Sequence, residues 1–223
     1  MTRAVAIPVD LPTGRVELPA VVDSPEGATA ALVIAHGAGA GKDHPFLVGF
    51  AAAVAAAGMA TVRFDFPYVA AGRRMPGPAA HAVAAWRAVA AYAAEELPGP
   101  VHAAGKSYGG RMASVAASEQ AGLDVTALVY LGYPLHAPGK PESPRAEHLP
   151  AVRQPQLFVE GTNDPFIQPL AQFEQAVASC RDADVEWIEG GTHAFEVKGR
   201  RRAADVIGAE LADPVVRFLR ARG

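Results

Sequence analysis

The sequence predicts an α/β protein: a mostly parallel central sheet with helices on both faces. Three observations carry this. Short, almost unbroken apolar runs, such as A-A-L-V-I-A at 30–35, alternate with longer alanine-rich stretches of helical length. Strands covered on both sides read as such runs, because neither face meets water. Glycine and proline punctuate the junctions between runs.

The elements follow in order. Residues 5–9 and 15–22 are extended and joined by Pro12-Thr13-Gly14; each holds a proline, Pro8 or Pro19. Proline cannot donate to a ladder, so both segments are expected at a sheet edge. Residues 30–35 form a buried strand. Residues 45–58 form a helix, capped by Asp43 or His44, with Pro45 in the first turn, where a missing N–H costs nothing. A strand at 59–66, a helix at 81–96, a strand at 101–104 and a helix at 107–121 come next. Then follow a strand at 125–131, a proline-rich loop at 134–150, a strand at 156–160, a helix at 169–179, a strand at 185–188 and a last helix at 202–222. The loop 134–150 is long for a compact domain and so is expected to form a functional rim.

Composition excludes several classes. The 223 residues suit one domain spanning 1–223. A formal charge of -3 and no basic stripe exclude nucleic acid as a partner. The opening M-T-R-A-V-A-I-P-V-D lacks the apolar core of a secretory signal, and no apolar run is long enough to span a membrane. The lone cysteine, Cys180, fits a reducing compartment, so a cytoplasmic protein is expected. Neither C-x-x-C nor H-E-x-x-H occurs, so no metal or cofactor is expected. A small molecule is left as the expected partner, and the sequence carries no signal for an oligomeric state.

The chemistry centres on A-A-G-K-S-Y-G-G-R-M-A-S at 103–114. A phosphate-binding loop would need glycine at position 100, which is Pro100. The run H-G-A-G-A-G-K at 36–42 fails the dinucleotide fingerprint, which needs glycine or alanine where Lys42 stands. What fits is G-x-S-x-G, centred on Ser107 between Gly105 and Gly109, after a strand and before a helix. That arrangement is a nucleophile elbow. The flanking positions must lack side chains because strand and helix nearly touch there.

Partners are sought where strands end, since ligands in open α/β sheets sit at the carboxyl edge. Asp164 follows the strand at 156–160 and His193 the strand at 185–188, giving the order Ser107…Asp164…His193. Each partner has a plainer reading. Asp164-Pro165 forms many ordinary turns, and a histidine after Gly-Gly is often a surface residue. Asp65, after the strand at 59–66, is the competing acid. His36 is expected to fix the glycine-rich turn, and His102 to be a satisfied core histidine. Glu160 and Glu189 are expected to bond backbone, and Cys180 to be structural.

These segments carry a resemblance over roughly residues 4–220. The chain resembles the α/β-hydrolases, with no room for a cap domain. G-K-S-Y-G-G is similar to the elbow of the dienelactone-hydrolase branch, which commonly carries cysteine where this chain has Ser107. H-G-A-G-A-G-K-D-H-P-F, G-K-S-Y-G-G-R-M-A-S and L-G-Y-P-L-H resemble a group of small bacterial predicted hydrolases with a eukaryotic branch that includes a chromatin-complex subunit. The resemblance implies an α/β-hydrolase fold. It leaves two functions open: a serine hydrolase of small esters or thioesters, and a catalytically idle binding or scaffold protein.

For the enzyme, His193 would take the proton of Ser107 while Asp164 orients the imidazole. The N–H of Tyr108 and that of Ala38, with the Gly39 N–H as the alternative second donor, would hold the oxyanion. Arg73 and Arg74, after the Asp65 strand, and Lys140 and Arg145, in loop 134–150, are candidate contacts for an anionic substrate. The plainer reading is a solvated rim in which Glu142 and Glu147 pair with the loop cations. Without a cap, short acyl chains of about two to four carbons are expected, since further methylenes would stay in water.

Overall fold

The computed structural model describes residues 1–222. One eight-stranded sheet forms the centre. Its strands are β1 (Thr2–Leu11), β2 (Gly14–Asp23), β3 (Ala31–Ala35), β4 (Ala60–Phe64), β5 (Val101–Lys106), β6 (Leu128–Leu131), β7 (Gln156–Gly161) and β8 (Ala183–Ile188). They lie in the order β1-β2-β4-β3-β5-β6-β7-β8. β2 pairs antiparallel with both β1 and β4, and every later pairing is parallel. β3, β6 and β7 are buried at every residue, which is why they read as unbroken apolar runs.

The helices are α1 (Pro45–Ala56), α2 (Pro67–Ala70), α3 (Ala79–Glu96), α4 (Tyr108–Ser118), α5 (Leu170–Ala178), α6 (Ala204–Glu210) and α7 (Ala212–Arg220). On one face, Phe50 and Val54 of α1 and Val215 and Leu219 of α7 share a core with Leu32 and Ile34 of β3. On the other, Trp86 of α3, Met112 of α4 and Phe173 of α5 share a core with Val33 of β3 and Phe158 of β7. Each such buried side chain contributes about 1.5–3 kcal/mol over an exposed one. This is an α/β-hydrolase fold without a cap.

Three expectations need correction. β2 is not an edge strand: only β1 is, and β2 joins it to the sheet. Proline is tolerated in β2 because Pro19 stands where the β4 ladder stops, accepting the Asp65 N–H at 3.0 Å through its carbonyl. The last helix is two, broken at Leu211, because Pro214 has no N–H to give the Glu210 carbonyl. His102 is buried but not satisfied, since its Nδ1 has no hydrogen-bond partner. Burial without such a partner pushes its pKa down to about 4. His44 does cap α1, its Nδ1 accepting from the Phe46 N–H at 3.3 Å.

The topology fixes where a site can form. From β3 the chain steps outward to β4, then returns to β5 on β3's other side. The turn after β3 and the turn after β5 therefore meet at a crevice on the carboxyl edge. Trp86 braces it from below, donating from its indole to the Gly109 carbonyl at 3.0 Å.

Candidate active site

Ser107 sits between β5 and α4 at φ 49°, a left-handed value that a residue with a side chain rarely adopts. The glycines around it are required by close approach. A Cβ on Gly105 would meet the Gly110 nitrogen at 2.2 Å, and one on Gly109 would meet the His36 carbonyl oxygen at 2.7 Å. The strain is held by the Ser107 N–H, which donates to Leu131 O at 3.0 Å, and by its carbonyl, which accepts from Arg111 N–H at 3.1 Å.

The loops after β7 and β8 bring the other two residues to it. Gly161, at the end of β7, lies so near the His193 loop that a Cβ there would meet Gly191 O at 2.2 Å. That contact places Asp164 beside His193. The Asp164 Oδ2 lies 2.6 Å from His193 Nδ1, and His193 Nε2 lies 2.8 Å from Ser107 Oγ. Asp164 is fully buried, and its other oxygen accepts the Phe166 N–H at 2.8 Å. The Phe166 ring stacks on the imidazole with centroids 4.1 Å apart. Burial lowers the His193 pKa below its ordinary value, against the opposing Asp164 hydrogen bond; the nearby Lys106 cation lowers it further.

The turn after β3 closes the crevice opposite. His36 Nε2 accepts the Phe66 N–H at 3.1 Å, so its proton is on Nδ1, which donates to Gly37 O at 2.8 Å. Both ring nitrogens are thus spent on shaping the turn, as expected for His36. Asp65 serves the same turn: its carboxylate accepts the Lys42 N–H at 2.7 Å and lies 3.6 Å from Lys42 Nζ. Ala38 and Tyr108 line one cavity with Ser107, whereas Gly39 does not reach it. Neither the Ala38 nor the Tyr108 N–H has a partner among the described residues.

Two residues that sequence reasoning passed over belong to this corner. Lys106, the residue before Ser107, donates from Nζ to the His193 carbonyl at 2.7 Å and sits 5.1 Å from the centre of the Phe195 ring. Burial drives its pKa down to about 8, although Glu160 and Asp164 oppose that shift. Glu160 is fully buried below it; one oxygen accepts the Tyr133 N–H and burial raises its pKa well above the usual carboxylate range. Its bond is to backbone, as expected. Arg111, one helical turn beyond Ser107, lines the cavity. The only signal for either in the sequence is adjacency to the elbow.

The cavity in front of Ser107 measures about 480 Å³, and its walls include Phe46, Leu47, Phe166 and Ile207. Of the four cations singled out in the sequence, only Arg145 lines it. Arg73 lines a separate cavity with Tyr68 and His81, and Arg74 and Lys140 line neither. Glu142 and Glu147 form no ion pair with these residues, so the paired rim is not what the loop builds. Strand ends locate loops but not the direction in which loops run, and these three side chains lie away from the Ser107 cavity.

A family model described as an alpha/beta hydrolase domain matches residues 28–219. The chain belongs to this family. Its solved relatives include dienelactone hydrolase from Anabaena variabilis, at 24% identity and TM-score 0.72, with 97% of this chain and 98% of that one covered. A lidless α/β serine hydrolase from Xanthomonas campestris matches at 21% identity and TM-score 0.70, over 97% of this chain and 95% of that one. The ferulic-acid-bound Est1E of Butyrivibrio proteoclasticus matches at 17% identity and TM-score 0.71, over 96% and 99%. Likeness at this level speaks for the hydrolase fold. Among the described residues no helix is long and apolar enough to cross a membrane.

Proposed function

We propose that this α/β-hydrolase is a serine hydrolase cleaving small esters or thioesters through an acyl-enzyme. The observation that carries the reading is the unbroken chain of contacts from Asp164 through His193 to Ser107, at 2.6 and 2.8 Å. His193 Nε2 takes the Ser107 proton as Oγ attacks the carbonyl carbon, and the carbonyl oxygen becomes an oxyanion. The unpartnered N–H groups of Ala38 and Tyr108 would receive it. Collapse of the tetrahedral adduct breaks the bond to the leaving alcohol or thiol, which departs with the proton from His193. Water then adds to the acyl-serine with His193 again as base, and the acid leaves. Asp164 keeps the imidazole in the tautomer with its proton on Nδ1 and stabilises the imidazolium between steps.

The kinship with dienelactone hydrolases and esterases supports the reaction class, and the strained backbone at Ser107 argues against an idle scaffold. Strain of this kind costs about 1–3 kcal/mol and persists only where the surroundings enforce it. A fluorophosphonate probe is expected to label Ser107 alone. Ser107→Ala should abolish labelling and lower ester turnover by several orders of magnitude, on the order of 10⁴ or more. Labelling that persists in that variant rejects the nucleophile, and a folded wild type that never labels and hydrolyses nothing favours the scaffold.

A further inference from the structure

We infer that Arg111 and Arg145 form an anion subsite in the Ser107 cavity, and that the substrate carries a carboxylate a few carbons from its scissile carbonyl. The inference rests on the hydrolase reading and adds the substrate class to it. Both arginines line the same cavity as Ser107. Neither guanidinium makes an ion pair or a side-chain hydrogen bond among the described residues. Other arginines, such as Arg15 and Arg153, also lack a carboxylate partner, but among the described residues only Arg111 and Arg145 bring a guanidinium to the cavity of Ser107.

The pair is built into the fold rather than left to wander. The Arg145 N–H donates to Leu135 O at 2.6 Å, and its carbonyl accepts from the Tyr133 hydroxyl at 3.0 Å. Loop 134–150 is then tied to α4 through His148, whose Nε2 lies 2.7 Å from Ser114 Oγ. That hydroxyl bonds the Arg111 carbonyl at 2.8 Å, so one network fixes the backbone of both arginines. Arg111 is half-buried, and burial together with the Arg145 charge disfavours its cation. Two cations without a carboxylate partner on the wall of one cavity offer an anion charge-assisted contacts from both.

The remaining charges around the cavity do not supply one. Lys106 is committed to the His193 carbonyl. Glu196 is the one acidic lining residue; it is exposed and pairs with no arginine. The spacing sets the substrate's length. Arg111 follows Ser107 by one helical turn, about 5–6 Å at Cβ, so its guanidinium reaches a group several bonds from the attacked carbon. The apolar walls at Phe46, Leu47 and Ile207 suit the carbon chain between. The carboxylate itself does not react.

The test compares two pairs of thioesters that differ only in charge. One pair carries a carboxylate or its carboxamide at the end of a five-carbon acyl group, and the other carries them on the leaving thiol. In at least one pair the anionic member should have the higher kcat/KM, by about 10- to 100-fold for a charge-assisted contact. That ratio should fall toward one in Arg145→Gln and in Arg111→Gln, and shrink with salt in the wild type. Glutarate binding to Ser107→Ala, followed by calorimetry, needs no turnover and should weaken in the same two substitutions. Arg145→Gln changes an exposed side chain and so keeps the test open if Arg111→Gln folds poorly. A ratio near one in both pairs, a ratio that survives either substitution, or glutarate binding indifferent to Arg145→Gln overturns the subsite. None of these touches the hydrolase reading, which fails instead if no thioester turns over and no probe labels Ser107.

Discussion

Two carboxylate–histidine pairs stand at the carboxyl edge of this sheet, and they have opposite fates. Asp65 and His36 flank the β3 turn, with the Asp65 carboxylate 4.0 Å from His36 Nε2. Asp164 and His193 flank the loops after β7 and β8 at 2.6 Å. His36 is fully buried, with Nε2 on a backbone N–H and Nδ1 on a backbone carbonyl. His193 is partly exposed and gives only Nδ1 to its acid, leaving Nε2 facing Ser107. A histidine with both nitrogens spent on backbone is a brace. One with a nitrogen to spare beside a hydroxyl can act as a base.

The largest effect that would break this contrast comes from exchanging acids for amides. Asp164→Asn should cost on the order of 10⁴ in kcat, because an amide donor favours the tautomer that cannot accept the Ser107 proton. Asp65→Asn still offers an oxygen to the Lys42 N–H and should cost at most about tenfold, the worth of one hydrogen bond in the turn. Steady-state kinetics on one ester measures both. Near-normal turnover by Asp164→Asn with collapse of Asp65→Asn would invert the two roles.

A smaller effect sharpens the contrast at His193. In the proposed mechanism its neutral form is the base, so kcat/KM should rise with pH as the imidazolium loses its proton. Burial lowers that pKa, and the rise should be centred below the ordinary 6.5. Lys106→Met removes a neighbouring cation that disfavours the imidazolium, so the rise should move to higher pH. It also removes the donor to the His193 carbonyl, and kcat should fall by about tenfold for one lost charge-assisted bond. A lower rate with an unmoved pH profile would make Lys106 a packing residue alone.

The contrast also shows what the sequence displays and what it hides. Ser107 was legible because steric demand is written in residue type: positions 105 and 109 admit no Cβ, and only glycine obeys. Asp164 and His193 were legible as strand-end residues in a fixed order, although the contact between them depends on the close pass of Gly161 and Gly191. Lys106 and Arg111 occupy positions that the elbow pattern leaves blank. Their roles arise from the His193 carbonyl and the loop carrying Arg145, both distant in sequence. Arg73 and Arg74 show the converse: they do not line the Ser107 cavity. They follow a strand end closely, but α2 (Pro67–Ala70) intervenes and Arg73 lines a different cavity. The double bond of His36 to backbone was legible only as a plausible brace, since neither partner can be read from a histidine before glycine.

The smallest predicted effect concerns acyl length, where the cavity modifies what the missing cap implied. Without a cap, methylenes beyond the first few would lie in water and gain nothing. The fold does lack a cap, yet α1 and α6 supply a wall in Phe46, Leu47 and Ile207 beside Ser107. An acyl chain laid on that wall gains up to about 0.8 kcal/mol per buried methylene, or roughly fourfold in kcat/KM for each. The gain must stop where the chain passes the wall or meets the Arg111 guanidinium, which an uncharged tail would have to desolvate. For neutral esters kcat/KM should therefore climb from acetyl to butyryl and level off or fall by octanoyl. A panel of esters with one leaving group measures this directly. A rise that continues through octanoyl would reveal a longer apolar channel than these walls provide, and a flat series would mean that the acyl chain never touches them.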